Sequence, residues 1–432
     1  MVTNAELTAR SRRVSPTWVT QFYDQPIAID RGEGRHVWDV EGTRYLDFFG
    51  GILTTMTAHA LPEVTQAVQA QAAKILHTST LYVSEPAVEL AELIAQQSQI
   101  PDAKVFFTPS GSEANDAAML LCTSQRRSNQ ILAIRNSYHG RSFSTIAVTG
   151  NRAWSPTSLS GLDVKYVHGG YRLRSPFKDR DDAGYIAACV QDLHDVLDMM
   201  TSGDVACMIA EPIQGVGGFT VAPDGMFGAF HEVLAQRGIP FIADEVQSGW
   251  GRTGEHYWGW QAHNFTPELM TFAKGVGNGL ALAGVVASAE LMDSLPANSI
   301  STFGGNPLST AGALANVRYA LDHDLQNNAL RMGAVLRERL EKIAADHDGI
   351  AEVRGKGLMQ AIETVVPGDA SLTPDPGACA RMLQACRERG VLIGKGGLYG
   401  NVLRLAPPLS VTAEEVDTFS QVFAEAVAQT YR

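Results

Sequence analysis

The stretch that decides the fold is residues 241–252, Phe-Ile-Ala-Asp-Glu-Val-Gln-Ser-Gly-Trp-Gly-Arg. It begins with a short apolar run, continues with the acids Asp244 and Glu245, and ends in a glycine-rich turn. In open α/β sheets, ligands bind beyond the carboxyl ends of the strands. An acid at such a place must meet a cation or a proton donor, or its pKa shifts. The stretch therefore predicts a buried strand that delivers Asp244 to a binding cleft, with a structural salt bridge as the alternative role.

Similar apolar runs recur between about residues 60 and 300, and each is followed by a turn and a helix-like stretch. Runs in which apolar and polar residues do not alternate suit strands that are buried on both faces of a mostly parallel sheet. The strand candidates are Lys104–Thr108, Ile131–Arg135, Val205–Ala210, Phe241–Ala243, Leu269–Ala273 and Gly284–Ser288. The pattern predicts an α/β fold with a large, mostly parallel sheet.

The two ends of the chain show other patterns. Residues 1–15 are polar and predict a loosely ordered arm. Residues 34–49 alternate around the Glu41-Gly42 turn and predict a hairpin. Beyond residue 306 the chain is helix-rich: residues 325–347 have helical spacing, and Thr412 to Glu415 form a capping box before a last helix. The predicted apolar face of that helix consists of Val416, Phe419, Val422, Phe423 and Val427.

The length of the chain, 432 residues, favours more than one core. We predict three parts. Residues 1–60 form an arm and hairpin that join a smaller domain, residues 61–305 form the large α/β domain, and residues 306–432 form the smaller α+β domain.

The charge balance and the cysteines narrow the function classes. With 34 basic and 46 acidic residues, the chain carries a formal charge of −12, which disfavours nucleic acid and anionic membranes as partners. The five cysteines include no CxxC pair, so we expect no disulfide framework, no metal site and a reducing compartment. The most apolar stretch, residues 279–292, is too short to span a bilayer, and residues 1–13 lack the apolar segment of a secretory signal. The expected location is the cytoplasm.

A second informative segment is Thr108-Pro-Ser-Gly-Ser-Glu-Ala-Asn115, which follows a strand and opens a helix. Ser110 and Glu113 have capping-box spacing. Gly111 lets the backbone approach a ligand, and the free N–H groups at the start of a helix attract a phosphate. The segment predicts a phosphate site, and a well-capped helix without a ligand is the alternative.

A third segment is Thr271-Phe-Ala-Lys-Gly-Val-Gly-Asn-Gly279, in which Lys274 ends an apolar strand. At a strand end that faces a cleft, loss of water and nearby cations lower the pKa of a lysine and make it a usable nucleophile. The alternative is a surface lysine whose ammonium group reaches water.

Two more segments add to these three. Asn136-Ser-Tyr-His-Gly140 follows a strand and offers Tyr138 as a flat face for a planar ligand, although it also suits a packed aromatic and a turn. Residues 301–307, Ser-Thr-Phe-Gly-Gly-Asn-Pro, form a polar, glycine-rich loop that also suits a hinge.

Together the segments supply a phosphate site, an acid for a ring nitrogen, an aromatic cover and a nucleophilic lysine. Pyridoxal 5'-phosphate chemistry needs all four, because the protein must hold the phosphate, bind the aldehyde and keep the ring nitrogen protonated.

The ordered set of motifs resembles the class III (subgroup II) pyridoxal-phosphate-dependent aminotransferases of fold type I, over about residues 25 to 425. The motifs are Ser110-Gly-Ser-Glu-Ala-Asn115, Tyr138-His-Gly140, Glu211-Pro-Ile-Gln-Gly215, Asp244-Glu-Val-Gln-Ser-Gly249, Lys274-Gly275 and Thr302-Phe-Gly-Gly-Asn-Pro307. The resemblance implies a homodimer with its active site at the interface, a tetramer being left open.

The resemblance also implies roles for the cofactor-binding residues. Lys274 would carry the cofactor as a Schiff base and later move a proton, and Asp244 would pair with the ring nitrogen. Gln247 would contact the ring hydroxyl, and Tyr138 would stack on the ring. Gly111 and Ser112 would hold the phosphate, joined by Thr302 from the other subunit, and Ser110 and His139 would also bind the cofactor.

Two further residues are implied to bind the substrate. Arg404 matches the arginine that grips the substrate carboxylate, for which a bidentate guanidinium contact is a physical reason. Glu211 matches the glutamate that pairs with this arginine when the amine has no α-carboxylate. We therefore expect Glu211 to cover Arg404 when an ω-amine binds and to withdraw when an α-keto acid binds.

Within the family, the segments Trp250-Gly-Arg-Thr-Gly254 and Trp258-Gly-Trp260 are most similar to alanine–glyoxylate and β-alanine–pyruvate type members. Residues 58–62, Ala-His-Ala-Leu-Pro, depart from the frequent family pattern Gly-His-x-His-Pro. The expected activity is amino transfer from an ω-amino acid, amine or alanine-type donor to pyruvate, glyoxylate or 2-oxoglutarate. Two alternatives stay open: a lyase, decarboxylase or aminomutase on the same scaffold, and a cofactor-binding regulatory protein without turnover.

Overall fold

The computed structural model of the protein describes residues 2–432. The strands are β1 (Ile29–Glu33), β2 (His36–Asp39), β3 (Arg44–Asp47), β4 (Ala103–Thr108), β5 (Gln130–Ile134), β6 (Asp163–Val167), β7 (Cys207–Ala210), β8 (Ile213–Gln214), β9 (Thr220–Val221), β10 (Phe241–Asp244), β11 (Leu269–Phe272), β12 (Ala283–Ser288), β13 (Ile350–Lys356), β14 (Met359–Thr364), β15 (Val391–Leu392), β16 (Gly394–Gly396) and β17 (Val402–Leu405). The helices are α1 (Asn4–Val14), α2 (Gly50–Leu53), α3 (Pro62–Ala72), α4 (Glu85–Ser98), α5 (Gly111–Arg126), α6 (Phe143–Ala147), α7 (Asp182–Met199), α8 (Met226–Ala235), α9 (Ala289–Met292), α10 (Pro307–Asp322), α11 (Leu325–Ala345), α12 (Pro376–Glu388) and α13 (Ala413–Thr430). Short 3₁₀ turns span Arg152–Trp154, Arg172–Arg174, Gly259–His263 and Lys274–Gly277.

The largest sheet has seven strands in the order β4-β12-β11-β10-β7-β5-β6. The pairs from β11 to β6 are parallel, and β12 runs antiparallel to both of its neighbours. The predicted α/β fold with a large, mostly parallel sheet is confirmed. All six predicted strands are present, with ends shifted by no more than two residues. The seventh, β6, was not predicted because its residues are mostly half-buried at the edge of the sheet.

Alternate residues of the central strands pack into two separate cores, because successive side chains of a strand point to opposite faces of the sheet. In β5, Ile131 and Ala133 belong to the core that α5 covers, whereas Leu132 and Ile134 belong to the core that contains α7 and α8. Burial on both faces is the physical reason why these strands are apolar along their whole length.

A second sheet, in the order β13-β14-β17-β16, is antiparallel and packs against α11 and α12. The predicted hairpin is formed by β2 and β3, and the C-terminal strand β15 extends its sheet by pairing with β3 in parallel. The capping box before the last helix is present, with Thr412 and Glu415 each accepting from the other's backbone N–H. The boundaries near residues 60 and 305 stay a prediction.

The prediction of a loosely ordered arm over residues 1–15 was wrong, because Asn4–Val14 form α1. Thr3 and Glu6 make a capping box that satisfies free N–H groups at the start of this helix. The Asn4 side chain also donates to Asp39 over 2.9 Å and accepts from the Ala28 backbone over 2.8 Å, which fixes α1 to the hairpin.

The short element α2 is a left-handed turn. Its residues have φ angles of 55° at Gly50, 57° at Gly51, 65° at Ile52 and 62° at Leu53. Such angles are costly for a β-branched residue such as Ile52. Asp47 supports the turn, since one oxygen of its carboxylate accepts from the N–H groups of residues 49 and 50, both over 2.9 Å.

Within residues 2–432, no helix is long and apolar enough to cross a lipid bilayer. In the same range, no three His, Cys, Asp or Glu side chains are grouped in a way that would hold a metal ion.

Close packing of α11 against the turn between β13 and β14 gives a stability prediction. A Cβ atom at Gly333 would lie 2.4 Å from the backbone carbonyl of Gly357. We expect Gly333→Ala to lower the free energy of unfolding by about 1–3 kcal/mol, because overpacking outweighs the better helix propensity of alanine. Chemical denaturation measures the change. Gly161→Ala is the control, since a Cβ there meets nothing within 4 Å; equal stability of both variants would contradict the prediction.

Candidate active site

A cavity of about 340 Å³ lies at the carboxyl edge of the large sheet. Its walls come from the segments that follow β4, β5, β7, β10 and β11, because these strands all end at that edge. The predicted site residues that line it are Ser110, Gly111, Ser112, Tyr138, His139, Glu211, Asp244, Gln247 and Lys274. The structure thus brings together residues that are up to 164 positions apart, between Ser110 and Lys274. Thr302 and Arg404 are not among the lining residues.

Asp244 is the last residue of β10 and is buried, with 3% of its surface exposed. Its Oδ2 atom accepts hydrogen bonds from Asn115 Nδ2 and His139 Nδ1, both over 2.8 Å. Its Oδ1 atom accepts from the Val246 backbone over 3.1 Å. The Asn115 amide is itself fixed, because its oxygen accepts from Thr271 Oγ1 over 2.7 Å. The carboxylate therefore has one orientation at the cavity wall.

Lys274 follows β11 and has a φ angle of 47°, in the left-handed region that non-glycine residues seldom adopt. Burial lowers the pKa of its ammonium group to about 8, although Asp244 and Glu211 oppose the shift. Arg404 lowers it further. On the order of a tenth of this amine is thus neutral at pH 7, far more than at the ordinary lysine pKa, and a nucleophile requires the neutral form.

The start of α5 forms another wall of the cavity. Ser110 caps the helix by accepting from the Glu113 backbone over 3.3 Å. The Ser112 hydroxyl accepts from the Arg141 backbone over 3.1 Å. A Cβ at Gly140 would lie 2.5 Å from the Ser112 Oγ atom, so only glycine lets these two segments meet. The free N–H groups of a helix start and a nearby hydroxyl form a suitable place for a phosphate.

Tyr138 and Gln247 face the cavity from the segments that follow β5 and β10. The Tyr138 ring makes an edge contact with Trp154, with 5.5 Å between ring centroids. The Oε1 atom of Gln247 is buried and, within residues 2–432, has no hydrogen-bond partner. A buried acceptor without a donor is costly, so this atom is suited to a hydroxyl or N–H group of a ligand.

Glu211 and Arg404 lie on the two sides of Gly215. Glu211 accepts from the Gly215 backbone over 2.8 Å and from the Tyr138 backbone over 2.9 Å. Burial raises the pKa of Glu211 to about 7, with His139 opposing the shift and Asp244 adding to it. Both residues are among those the structure describes, and they form no direct ion pair. The expected cover of Arg404 by Glu211 is therefore not the arrangement in this structure.

The Arg404 guanidinium is instead held by backbone carbonyls. Its Nη1 donates to Gly215 over 3.2 Å, and its Nη2 donates to Lys395 over 2.9 Å. The Phe49 and Phe219 rings flank it, with centroids 5.0 and 5.6 Å from the guanidinium carbon. Burial lowers the pKa of Arg404 to about 10, although Glu211 opposes the shift.

Thr302 lies in the loop before α10 and is exposed in a single chain. Its neighbour Phe303 is 63% exposed and contacts His77, with 5.2 Å between ring centroids. A single chain therefore does not bring Thr302 to the cavity.

Four residues of the site were not assigned a role from the sequence. Asn115 orients Asp244, Val246 and Thr54 line the cavity, and Arg141 lies at its wall with its guanidinium 5.4 Å from the Trp18 ring. Asn115 and Val246 stand within the quoted motifs, so their position next to Ser112 and Asp244 was the available signal. No sequence signal pointed to Thr54, which follows the left-handed turn.

The cavity fits a planar, phosphorylated aldehyde such as pyridoxal phosphate. It offers a helix start for the phosphate, a buried acceptor on Gln247 without a partner, an oriented carboxylate on Asp244 and an amine on Lys274 with a lowered pKa. These groups come from the end of β10 and from the segments that follow β4, β10 and β11, yet they face one space.

Comparison with known proteins gives concordant matches. The family model for class-III aminotransferases matches residues 18–427. The chain is 37% identical over 415 residues to the mitochondrial alanine–glyoxylate aminotransferase 2 homolog 2 of Arabidopsis thaliana. This match covers 95% of this chain and 84% of that protein. A solved thermostable (S)-enantioselective ω-transaminase from Thermomicrobium roseum has a TM-score of 0.92 and 30% identity, with 100% of both chains covered. A phospholyase from Arthrobacter, solved with phosphoethanolamine, has a TM-score of 0.89 and 31% identity, covering 98% and 99% of the two chains.

The lowered pKa of Lys274 predicts how the protein without cofactor takes up pyridoxal phosphate. Only the neutral amine attacks an aldehyde, so the uptake rate should rise with pH and reach half of its maximum near pH 8. Stopped-flow absorbance at several pH values measures this rate. Lys274→Arg is the control and should show no covalent uptake. A midpoint near the ordinary lysine value, about 10.4, would contradict the prediction.

Proposed function

This chain belongs to the class-III aminotransferase family, and we propose that it moves an amino group from an ω-amino acid, an amine or an alanine-type donor to pyruvate, glyoxylate or 2-oxoglutarate. It is a pyridoxal-phosphate-dependent aminotransferase, as the family match and the named relatives support. The observation that carries the proposed site is the Lys274 amine and the oriented Asp244 carboxylate in the wall of one cavity.

We infer that the cofactor is held by the residues that face this cavity. Gly111 and Ser112 at the start of α5 would bind the phosphate. Tyr138 would cover the ring, and Gln247 would accept from the ring hydroxyl. When bound, pyridoxal phosphate supplies an electron sink for the carbon that carries the amino group.

Lys274 and Asp244 perform the two tasks left to the protein. The Nζ atom of Lys274 is neutral in part near pH 7, so it can accept the proton of the substrate carbon that carries the amino group. It would hold this proton and return it later in the same reaction. The Asp244 carboxylate, oriented by Asn115 and His139, holds a proton on the ring nitrogen. Its fixed orientation means that little reorganisation is needed during the reaction.

Arg404 and Glu211 would let the site accept substrates with an α-carboxylate and substrates without one. An α-carboxylate would give the Arg404 guanidinium a charged acceptor in addition to the neutral Gly215 carbonyl, which keeps the guanidinium in place. A substrate without this carboxylate would leave Arg404 where it is. Glu211 then supplies a negative charge that stabilises the buried guanidinium.

This arrangement predicts a selective effect of Glu211→Gln. We expect kcat/KM for propan-2-amine, which has no carboxylate, to fall about tenfold more than kcat/KM for alanine, because Arg404 would lose its compensating charge only where the substrate brings none. Single-turnover absorbance of the loaded enzyme measures both constants. Equal losses for the two substrates would refute the role of Glu211.

The proposed activity is tested by a spectroscopic panel of amines and amino acids. The absorbance of the bound cofactor should change on addition of a donor and return on addition of pyruvate or glyoxylate. A lyase is the second candidate, favoured by the match to the Arthrobacter phospholyase. Release of ammonia or phosphate without any keto acid would support the lyase and overturn amino transfer.

We also infer that the protein is a homodimer in which Thr302 of one subunit reaches the phosphate site of the other. Exposed apolar side chains around the loop of Thr302 support this arrangement, since a single chain leaves them in water. They are Ile75, Leu76, Leu81, Tyr82, Val83, Ile300 and Phe303.

The homodimer predicts that Phe303→Asp weakens both assembly and cofactor binding. A charge at a buried apolar contact should shift the mass measured by light scattering toward the monomer and raise the dissociation constant of pyridoxal phosphate. Met199→Asp is the control: Met199 is 72% exposed, and the segment after it contacts Gln130 in β5, five strands away from β4 in the large sheet. A monomeric native protein with full activity would contradict the proposal.

We place the protein in the cytoplasm. The five cysteines are all buried and free, which suits a reducing compartment. Small-molecule amines and keto acids are its proposed partners, besides the second copy of the chain.

A further inference from the structure

The turn at residues 215–218 connects β8 and β9 and carries one of the carbonyls that hold Arg404. The Gly215 carbonyl accepts from Arg404 Nη1 and from the Gly218 backbone, both over 3.2 Å. The Gly218 carbonyl in turn accepts from Arg354 Nε over 2.8 Å. A continuous set of hydrogen bonds therefore joins Arg354 to Arg404 through four residues of backbone.

Arg354 is itself held firmly. It is 7% exposed, and its Nη1 donates to the carboxylate of Glu363, which is fully buried, over 2.7 Å. Glu363 also accepts from Arg174 Nη2 over 2.9 Å and from the Tyr171 hydroxyl over 2.9 Å. Burial alone would raise the pKa of Glu363, but Arg354 and Arg174 hold it below its usual value.

There is little room for the turn to move while Arg354 is in place. A Cβ at Gly218 would lie 3.0 Å from Arg354 Nη2 and 3.1 Å from Val402. Glycine at this position, with a φ angle of 100°, lets the guanidinium lie directly on the turn. The position of the Gly215 carbonyl is thus set by Arg354 as well as by Arg404.

We propose that Arg354, fixed by Glu363, is a positioning residue that sets how tightly Arg404 is held by the Gly215 carbonyl and thereby how well Arg404 accepts an α-carboxylate. The inference rests on the proposed role of Arg404 in binding that carboxylate. Arg354 touches neither the cavity nor the substrate; it acts through the turn. Loss of its Nε–H contact lets the turn shift, so the Arg404 guanidinium no longer lies where a carboxylate meets it.

Arg354→Lys tests the inference. Lysine keeps the positive charge beside Glu363 but has one donor group, which cannot serve Glu363 and the Gly218 carbonyl in the same fixed geometry as a guanidinium. The matched control is Glu352→Gln. Glu352 accepts from the same Arg354 Nη1 over 2.6 Å but is partly exposed and does not contact the turn.

Alanine and propan-2-amine form the substrate pair, because they differ only in a carboxylate replaced by a methyl group. With Arg354→Lys we expect KM for alanine to rise about tenfold, while kcat for alanine and both constants for propan-2-amine stay within about twofold. The dissociation constant of propanoate, measured by calorimetry on the loaded enzyme, should rise by the same factor as KM for alanine. Glu352→Gln should change none of these values.

A merely structural role for Arg354 would lower the cofactor content and kcat for both substrates alike, and that result would overturn the inference. If Arg354→Lys does not fold, Glu363→Gln must give the same split between the two substrates, and its absence counts against the inference equally. Arg404→Lys separates this inference from the proposed function. If Arg404→Lys loses the discrimination between alanine and propan-2-amine but Arg354→Lys keeps it, the role of Arg404 stands and that of Arg354 is rejected. If Arg404→Lys keeps the discrimination, both roles are rejected.

Discussion

Five strands of the large sheet, β4, β5, β7, β10 and β11, end at the same edge, and the position of every charged group in the cavity depends on this. The strand β12 runs the other way, so its carboxyl end lies at the far edge and delivers no residue of its own to the site. Because the strands are buried on both faces, their ends are fixed by the two cores, and the segments that follow them start from fixed points. Asp244 is the last residue of β10, Glu211 directly follows β7, and Lys274 is the second residue after β11.

Burial and charge act against each other throughout this site. Burial shifts the pKa of Lys274 down to about 8, that of Arg404 down to about 10 and that of Glu211 up to about 7, so each group moves toward its neutral form. The neighbouring opposite charges limit these shifts. The acids and bases in and beside the cavity therefore tolerate one another, and a substrate that brings or removes a charge changes the pKa values of all of them.

Much of this arrangement could be predicted from the sequence, for reasons that particular elements illustrate. The strands β7, β10 and β11 consist mainly of apolar residues because both of their faces are buried. The reactive residues Asp244 and Lys274 stand at or next to the ends of such strands in the sequence. Contacts between distant residues could not be predicted. The hydrogen bonds from Asn115 to Asp244 and from Arg404 to the Gly215 carbonyl depend on where the backbone lies in space. The helix α1 was overlooked because its stabilising contacts come from Asp39 and Ala28 as well as from its own cap.

The division between the sheet and the segments at its edge has an evolutionary consequence. Most of the side chains that fill the two cores lie within strands and helices, whereas those that line the cavity lie at strand ends, at the start of α5 and on the connecting segments. Substitutions in the connections can alter which molecule is accepted without disturbing the interior that keeps the chain folded. A solved ω-transaminase and a solved phospholyase share this architecture over nearly their whole length, as such a separation would allow. New specificities can therefore arise through a small number of changes at the carboxyl edge of an inherited sheet.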